Sequence, residues 1–140
     1  FDYLDKLGFK QYEIANFATD EEFESKHNYG YWQHNEYLGI GAGAVACIGN
    51  IREYSEKSIE KYIKNPLLVE KEELSKEDIK AEKVLLGFRC KFGVPLELLN
   101  EKELKKANDL ILEKKLELKE NRVFNNNYLL ADELALYILD

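Results

Sequence analysis

The 140-residue sequence predicts an α+β fold built from two segments that join near Pro66. Six of the eight glycines lie between Gly8 and Gly49, which favours strands and tight turns over helices in the first segment. Residues 75–140 are dense in leucine, lysine and glutamate at helical spacing. The charge also changes, because residues 1–74 carry 8 basic and 14 acidic side chains, whereas residues 75–140 carry 12 and 13.

The first segment begins with a predicted helix end over residues 1–7, which Gly8 closes. Residues 10–17 alternate between apolar and polar side chains, which predicts a strand. The acidic run 20–24 is typical of a loop or a helical turn. Residues 37–48 are apolar and interrupted by glycines, which predicts strand and tight backbone rather than helix.

The remaining elements are helices and one hairpin. Ser55 or Ser58 is predicted to cap a helix that runs to about Lys64 and ends at Asn65-Pro66. The second segment predicts these elements: a helix from a capping box at Ser75 to about Cys90, a turn beginning at 96–99, a helix over 101–114, a hairpin of strands 116–119 and 122–125, and a helix over 128–139. This order is similar to a winged-helix module with one appended element.

Charge and composition disfavour several classes of protein. The net charge of −7 and the mixed signs along the 101–114 helix argue against nucleic-acid binding. The sequence contains no run of about 18 uncharged apolar residues, so it predicts no membrane span. Cys47 and Cys90 are too far apart in sequence for a metal-site spacing, so each is predicted to be a small buried residue. Two isolated cysteines without a signal peptide predict a reduced, cytoplasmic protein.

Two stretches could carry a ligand. Gly39, Gly41 and Gly43 form a GxGxG pattern, which permits close backbone approach either to a flat ligand or to a packed strand. His27 and His34 stand seven residues apart in a predicted loop, where a histidine could ligate a metal or carry a proton. A hydrogen-bonded or exposed structural histidine is the alternative for both. The aromatic residues near them are interpreted first as core or interface side chains.

These stretches together resemble one known family. YEIANFA at 12–18, KHN at 26–28 followed by YW at 31–32, and YLGIGAGA at 37–44 are similar to motifs of oxygen-independent coproporphyrinogen III oxidases and the related heme chaperones. Residues 83–140, including LGFR at 86–89 and LLAD at 129–132, are more loosely similar to the C-terminal domain of that family. The resemblance covers nearly the whole chain.

The resemblance implies that the chain is the C-terminal part of a radical S-adenosylmethionine protein. Residues 1–65 would be the last strands of a partial α/β barrel, and residues 66–140 a small winged-helix-like helical domain with a β-hairpin. The family binds S-adenosylmethionine on a 4Fe–4S cluster held by a CxxxCxxC loop, which this sequence lacks. The fragment alone is therefore not expected to be active, and no metal ligand or catalytic residue is assigned within it.

The resemblance assigns only cofactor-binding candidates. Gly39, Gly41 and Gly43 would lie on a strand near the S-adenosylmethionine and substrate cavity, and His27 and Asn28 would lie in a connecting loop. The family frequently has a histidine directly after GAGA, where this chain has valine, and Ala15 replaces the usual serine.

The implied function is the oxidative decarboxylation of coproporphyrinogen III to protoporphyrinogen IX in heme biosynthesis. The alternative is a heme chaperone of the same architecture, and a third, structural interpretation is that the C-terminal module covers the barrel or docks a partner. The expected partners are a porphyrinogen or heme and the missing N-terminal barrel. A homodimer could form through the exposed strand edge at 10–17.

Overall fold

The computed structural model describes residues 2–140, so the first residue of the predicted 1–7 helix lies outside the described part. The chain forms two compact units, one of residues 35–80 and one that joins the residues up to 34 with residues 81–140. Both contain helices and small antiparallel sheets. The domain division after residue 65 stays a prediction.

The first helix, α1 (Asp2–Lys6), ends where the sequence predicts. The Gly8 amide donates to the Asp5 carbonyl at 2.9 Å, and the Phe9 amide donates to the Leu4 carbonyl at 3.0 Å. This bond pair is a Schellman motif, which requires a left-handed residue at its turn. Gly8 supplies it with φ +84°.

The single strand predicted over residues 10–17 is wrong. The chain forms two short strands, β1 (Lys10–Gln11) and β2 (Phe17–Ala18), which pair with each other in antiparallel register. Tyr12 and Glu13 are both buried, so consecutive side chains do not alternate between core and solvent. Glu13 instead forms an isolated antiparallel bridge with Cys90, a long-range contact that local periodicity does not encode. The edge available for the expected homodimer is correspondingly short.

Two short elements follow. A 3-10 turn at Glu21–Phe23 confirms the helical turn allowed for the acidic run. Residues predicted to be a loop form a helix, α2 (Lys26–Trp32), which places His27 and Asn28 on a helix. The prediction of a loop is wrong because Ser25 caps this helix: its Oγ accepts the Asn28 amide at 3.3 Å.

Residues 35–80 build a three-stranded antiparallel sheet. Its strands lie in the order β3 (Val45–Ile48), β4 (Ile51–Ser55) and β5 (Val69–Glu73). The helix α3 (Ile59–Lys64) connects β4 to β5. The sequence did not predict β4 or β5, because their charged residues interrupt any apolar alternation.

Two predictions in this unit are resolved by local contacts. Ser58, rather than Ser55, caps α3, since its Oγ accepts the Lys61 amide at 3.4 Å. The stretch 37–48 is non-helical, as predicted, but only its end is a strand. Tyr37 pairs with Cys47 through two 2.9 Å backbone bonds, and the three glycines between them lie in a loop instead of the predicted strand.

The C-terminal part follows the predicted order closely. It contains α4 (Lys76–Phe88), β6 (Val94–Pro95), α5 (Glu101–Leu112), β7 (Leu116–Lys119), β8 (Arg122–Asn125) and α6 (Ala131–Leu139), with 3-10 turns at Leu96–Leu98 and Tyr128–Leu130. The strands form an antiparallel sheet in the order β6-β8-β7. The helix α4 ends two residues before the predicted end at Cys90. Glu120 and Asn121 both have positive φ, as a two-residue hairpin turn requires.

One apolar cluster holds these elements together. Phe88, Val123, Leu134 and Ile138 are almost completely buried and belong to it. Burying one such side chain contributes about 1.5–3 kcal/mol. Cys90 is buried in the same unit and Cys47 in the other, which confirms that both thiols are buried. Among residues 2–140 no helix is long and apolar enough to cross a membrane.

Candidate functional site

The helix α2 carries His27 and Asn28, and its start is anchored to the buried Tyr12. The Ser25 amide donates to the Tyr12 hydroxyl at 3.1 Å. Tyr12 is only 6% exposed. The first turn of α2 is therefore held from both sides, because Ser25 also caps it through the Asn28 amide.

Tyr29 attaches the middle of α2 to the segment that follows α4. Its ring meets the rings of Tyr12 and Phe92 edge to face, at centroid distances of 5.7 and 4.7 Å. Its hydroxyl donates to the Glu24 carboxylate, which also pairs with Lys91. Burial lowers the pKa of Lys91, but the carboxylates beside it outweigh that effect and raise the pKa overall.

His27 lies on the same helix but is exposed. Its imidazole meets the Tyr31 ring edge to face, with centroids 4.9 Å apart and planes at 90°. None of the hydrogen bonds or ion pairs of the described residues involves this imidazole, so both ring nitrogens are available to an external ligand. Asn28 contributes its backbone amide to the helix cap at Ser25.

His34 has a different environment, which confirms the structural alternative for this residue. Its Nε2 lies 2.9 Å from the Glu82 carboxylate, and its side chain is 11% exposed. The backbone of His34 is left-handed, with φ 57°. The two histidines are therefore not equivalent: one is engaged by a carboxylate and the other is accessible.

The three glycines in the loop between Tyr37 and Cys47 are required by different features of the backbone. A Cβ on Gly39 would lie 2.2 Å from the Val45 carbonyl oxygen, so close packing against the chain itself requires glycine there. Gly41 and Gly43 have φ of +116° and +72°, which disfavours other residues, although no atom lies within 4 Å of a Cβ at Gly41. Whether the loop approaches a ligand stays a prediction.

The same loop exposes two aliphatic side chains. Leu38 is 76% exposed and Ile40 is 91% exposed. The loop is tied to β4, since the Gly43 amide donates to the Glu56 carbonyl and the Ser55 amide to the Ala44 carbonyl, each at 2.9 Å. The sequence alone does not mark these aliphatic residues as site candidates, because their alternation with glycine is typical of a buried strand.

The residues described do not fit an iron–sulfur cluster. They contain no group of three or more histidine, cysteine or acidic side chains that could hold a metal ion. Cys90 and Cys47 are buried in different units. Burial raises the pKa of the Cys90 thiol, which disfavours the thiolate that metal binding requires.

Glu13 is a buried carboxylate that sequence reasoning did not single out as unusual. It is completely buried, and both carboxylate oxygens lack a hydrogen-bond partner in the described structure. Nothing in the local sequence separates it from an exposed glutamate, since its burial depends on the bridge to Cys90.

Comparison with known proteins shows a shared fold. No family model matches the chain. In three dimensions it is similar to Escherichia coli coproporphyrinogen III oxidase (HemN), described as a radical SAM enzyme, with a TM-score of 0.69, 98% of this chain covered, 38% of that chain covered and 13% identity. At this identity the likeness shows a shared fold alone.

Sequence relatives specify the family. The chain is 39% identical over 104 residues to heme chaperone HemW of Lactococcus lactis, covering 72% of this chain and 27% of the relative. It is 37% identical over 106 residues to heme chaperone HemW of Bacillus subtilis, covering 71% and 27%. The chain belongs to the radical S-adenosylmethionine family of coproporphyrinogen oxidases and HemW proteins. It spans about a quarter of the length of these relatives.

Proposed function

We propose that this chain is the C-terminal part of a heme chaperone and that His27 offers its imidazole to heme iron. The observation that carries the proposal is the contrast between the two histidines. The imidazole of His27 is exposed and has no hydrogen-bond partner among residues 2–140, whereas His34 is held by Glu82. The relatives of highest identity reported above are named heme chaperones, which supports this choice.

The residues around His27 suit a flat, apolar metal complex. Heme iron takes imidazole nitrogen as an axial ligand. Tyr31 is 39% exposed and its ring lies next to the imidazole with the planes at 90°, so it presents apolar surface beside it. Heme would be the cargo of the chaperone. The contribution of this chain is to orient the nitrogen that binds it.

Heme titration followed by absorption spectroscopy tests this proposal. We expect the Soret band of protein-bound heme to rise to saturation with the wild-type protein. His27→Ala should lose this bound-heme band. His34→Gln is the matched control, since it removes the other histidine of the chain and should retain the band. Equal binding by wild type and His27→Ala, with both variants folded by circular dichroism, would contradict the proposed ligand.

The second candidate is the oxidase function, which the solved structure of similar fold favours. The parent protein would then convert coproporphyrinogen III to protoporphyrinogen IX with S-adenosylmethionine and a cluster held outside this chain. Anaerobic incubation of the full-length protein with coproporphyrinogen III, S-adenosylmethionine and a reductant separates the candidates. Protoporphyrinogen formation supports the oxidase. Stable heme binding without turnover supports the chaperone.

The remaining assignments extend the same proposal. Gly39, Gly41 and Gly43 would lie near the S-adenosylmethionine and substrate cavity of the parent. The order of α4, α5 and the β7–β8 hairpin supports the winged-helix-like description of the C-terminal domain. A cytoplasmic location is proposed from the two isolated cysteines.

A further inference from the structure

A cleft of about 290 Å³ lies where the end of α2 meets α4, β6 and β8. Its wall includes Trp32, Lys83, Phe92, Gly93, Glu97 and Arg122. All of these residues belong to one compact unit. The exposed imidazole of His27 does not line this cleft, so the cleft is a separate feature from the proposed heme ligand.

The indole of Trp32 is the first sign that the cleft takes a polar ligand. Its Nε1 atom is buried, and its N–H has no acceptor in the part of the chain that the structure describes. A buried donor without an acceptor is costly, because it has lost its hydrogen bond to water. Trp32 therefore brings an unsatisfied donor to the wall of the cleft.

The charges of the lining select an anion. The Lys83 ammonium has no carboxylate partner among residues 2–140. Arg122 donates from Nε to the Phe92 carbonyl at 2.7 Å and from Nη2 to the Gly93 carbonyl at 3.1 Å, which holds its guanidinium in place. Its further N–H groups have no acceptor within residues 2–140. Glu97 is exposed and is the single acidic residue among the lining residues. The lining therefore carries one net positive charge.

We propose that this cleft is a binding site for a carboxylate group of a small molecule. A carboxylate is a planar monoanion with two acceptor oxygens, which suits an indole donor, an ammonium and a guanidinium together. A phosphate dianion would exceed the net charge of the lining and meet stronger repulsion from Glu97 than a carboxylate monoanion does. This site goes beyond the proposed heme ligation and does not depend on it.

Nuclear magnetic resonance of the indole group tests the proposal directly. Trp32 is the only tryptophan of the chain, so a ¹⁵N-labelled sample gives one indole N–H signal. Sodium acetate is the probe, added at constant ionic strength by exchange against sodium chloride. We expect a saturable downfield shift of the signal, because the N–H gains an anionic acceptor.

Two lysine variants make the test specific. Lys83→Gln should raise the acetate dissociation constant about tenfold, since it removes a charged donor. Lys105→Gln, which removes an exposed lysine of α5 that does not line the cleft, should leave the constant unchanged. His27→Ala should also leave it unchanged, which separates this site from heme binding.

The outcomes are decisive in either direction. A saturable shift with acetate, lost or weakened in Lys83→Gln alone, supports the site. Absence of a saturable shift, an equal shift with chloride, or equal weakening by both lysine variants would overturn it. Tighter binding of inorganic phosphate than of acetate would overturn the assignment to a carboxylate.

Discussion

Arg89 and Asp132 form a two-pronged ion pair in which Nε and Nη2 of the guanidinium each donate to one carboxylate oxygen at 2.8 Å. The pair joins the residue that follows α4 to the first turn of α6. It also connects the LGFR and LLAD stretches that the sequence resemblance noted separately. The hydrogen bonds from Arg89 lower the pKa of Asp132 and raise that of Arg89.

We predict that Asp132→Asn lowers the free energy of unfolding by about 0.5–1 kcal/mol, because partly exposed ion pairs contribute little more. Since the pKa of Asp132 is lowered on folding, its contribution is present above about pH 4 and is lost as the pH falls through the folded value. Urea unfolding at neutral and acidic pH measures this. Asp109→Asn, on the exposed side of α5, is the control. A loss that persists unchanged in acid would contradict the assignment.

The capping box of α5 predicts a second stability effect. Asn100 Oδ1 accepts the Glu103 amide at 3.0 Å, and Glu103 accepts the Asn100 amide at 2.8 Å. Asn100→Ala should lower the free energy of unfolding by about 1 kcal/mol. Asn100→Asp retains an acceptor and should keep most of the stability. Equal unfolding midpoints for alanine and wild type would show that the cap is energetically unimportant.

Two glycines predict effects of opposite sign. Gly39→Ala should be strongly destabilising, because its Cβ would overlap the Val45 carbonyl. Gly30 lies inside α2 with no atom within 4 Å of a Cβ, so Gly30→Ala should stabilise the protein by about 0.5–1 kcal/mol. Thermal unfolding of both variants measures the contrast. Changes of the same sign at both positions would contradict the local geometry.

Gly41→Val is expected to impair folding or, in the intact protein, the cleavage of S-adenosylmethionine. The sequence predicts that the Gly41 backbone approaches a ligand or a neighbouring strand, whereas the structure gives glycine a different reason there, the φ of +116°, which valine adopts only with strain. Circular dichroism and a cleavage assay would measure the two effects separately. Unchanged stability together with unchanged cleavage would remove this loop from the proposed site.

The buried phenol of Tyr128 predicts a loss of stability at alkaline pH. Burial raises its pKa to about 12. Because the pKa is raised on folding from about 10, the protonated phenol stabilises the fold below that value, and the contribution is lost as the pH rises towards 12. Ultraviolet titration of the wild type against Tyr128→Phe should assign the late ionisation. A normal phenol titration for every tyrosine would contradict the burial.

Glu13 offers a test of an unsatisfied buried group. Replacing it with methionine, which has similar volume, should raise the free energy of unfolding by about 1 kcal/mol or more, because an unpartnered carboxylate is removed from the interior. Glu13→Gln should give a smaller gain, since the amide also lacks partners. A clear loss of stability in Glu13→Met would show that the carboxylate is bound by a group outside the described chain.

Local signals account for the elements predicted correctly. The hairpin at residues 116–125 and the helix α5 each combine apolar periodicity with turn or cap residues that act within a few positions. For the same reason, the sequence identified Gly8 as the end of α1. The family resemblance likewise rests on contiguous motifs, so it could be recognised before any contact was known.

The tertiary structure decided the features that depend on distant residues. Glu13 is buried by its bridge to Cys90, and the pair of strands at 10–18 replaces a single strand because Tyr12 also contacts this region. The difference between an accessible His27 and an engaged His34 depends on Glu82, 48 residues away from the latter. Periodicity records which side of a local element is apolar. It contains no information on which distant chain segment supplies the partner, and that choice determines burial, charge pairing and the two candidate sites.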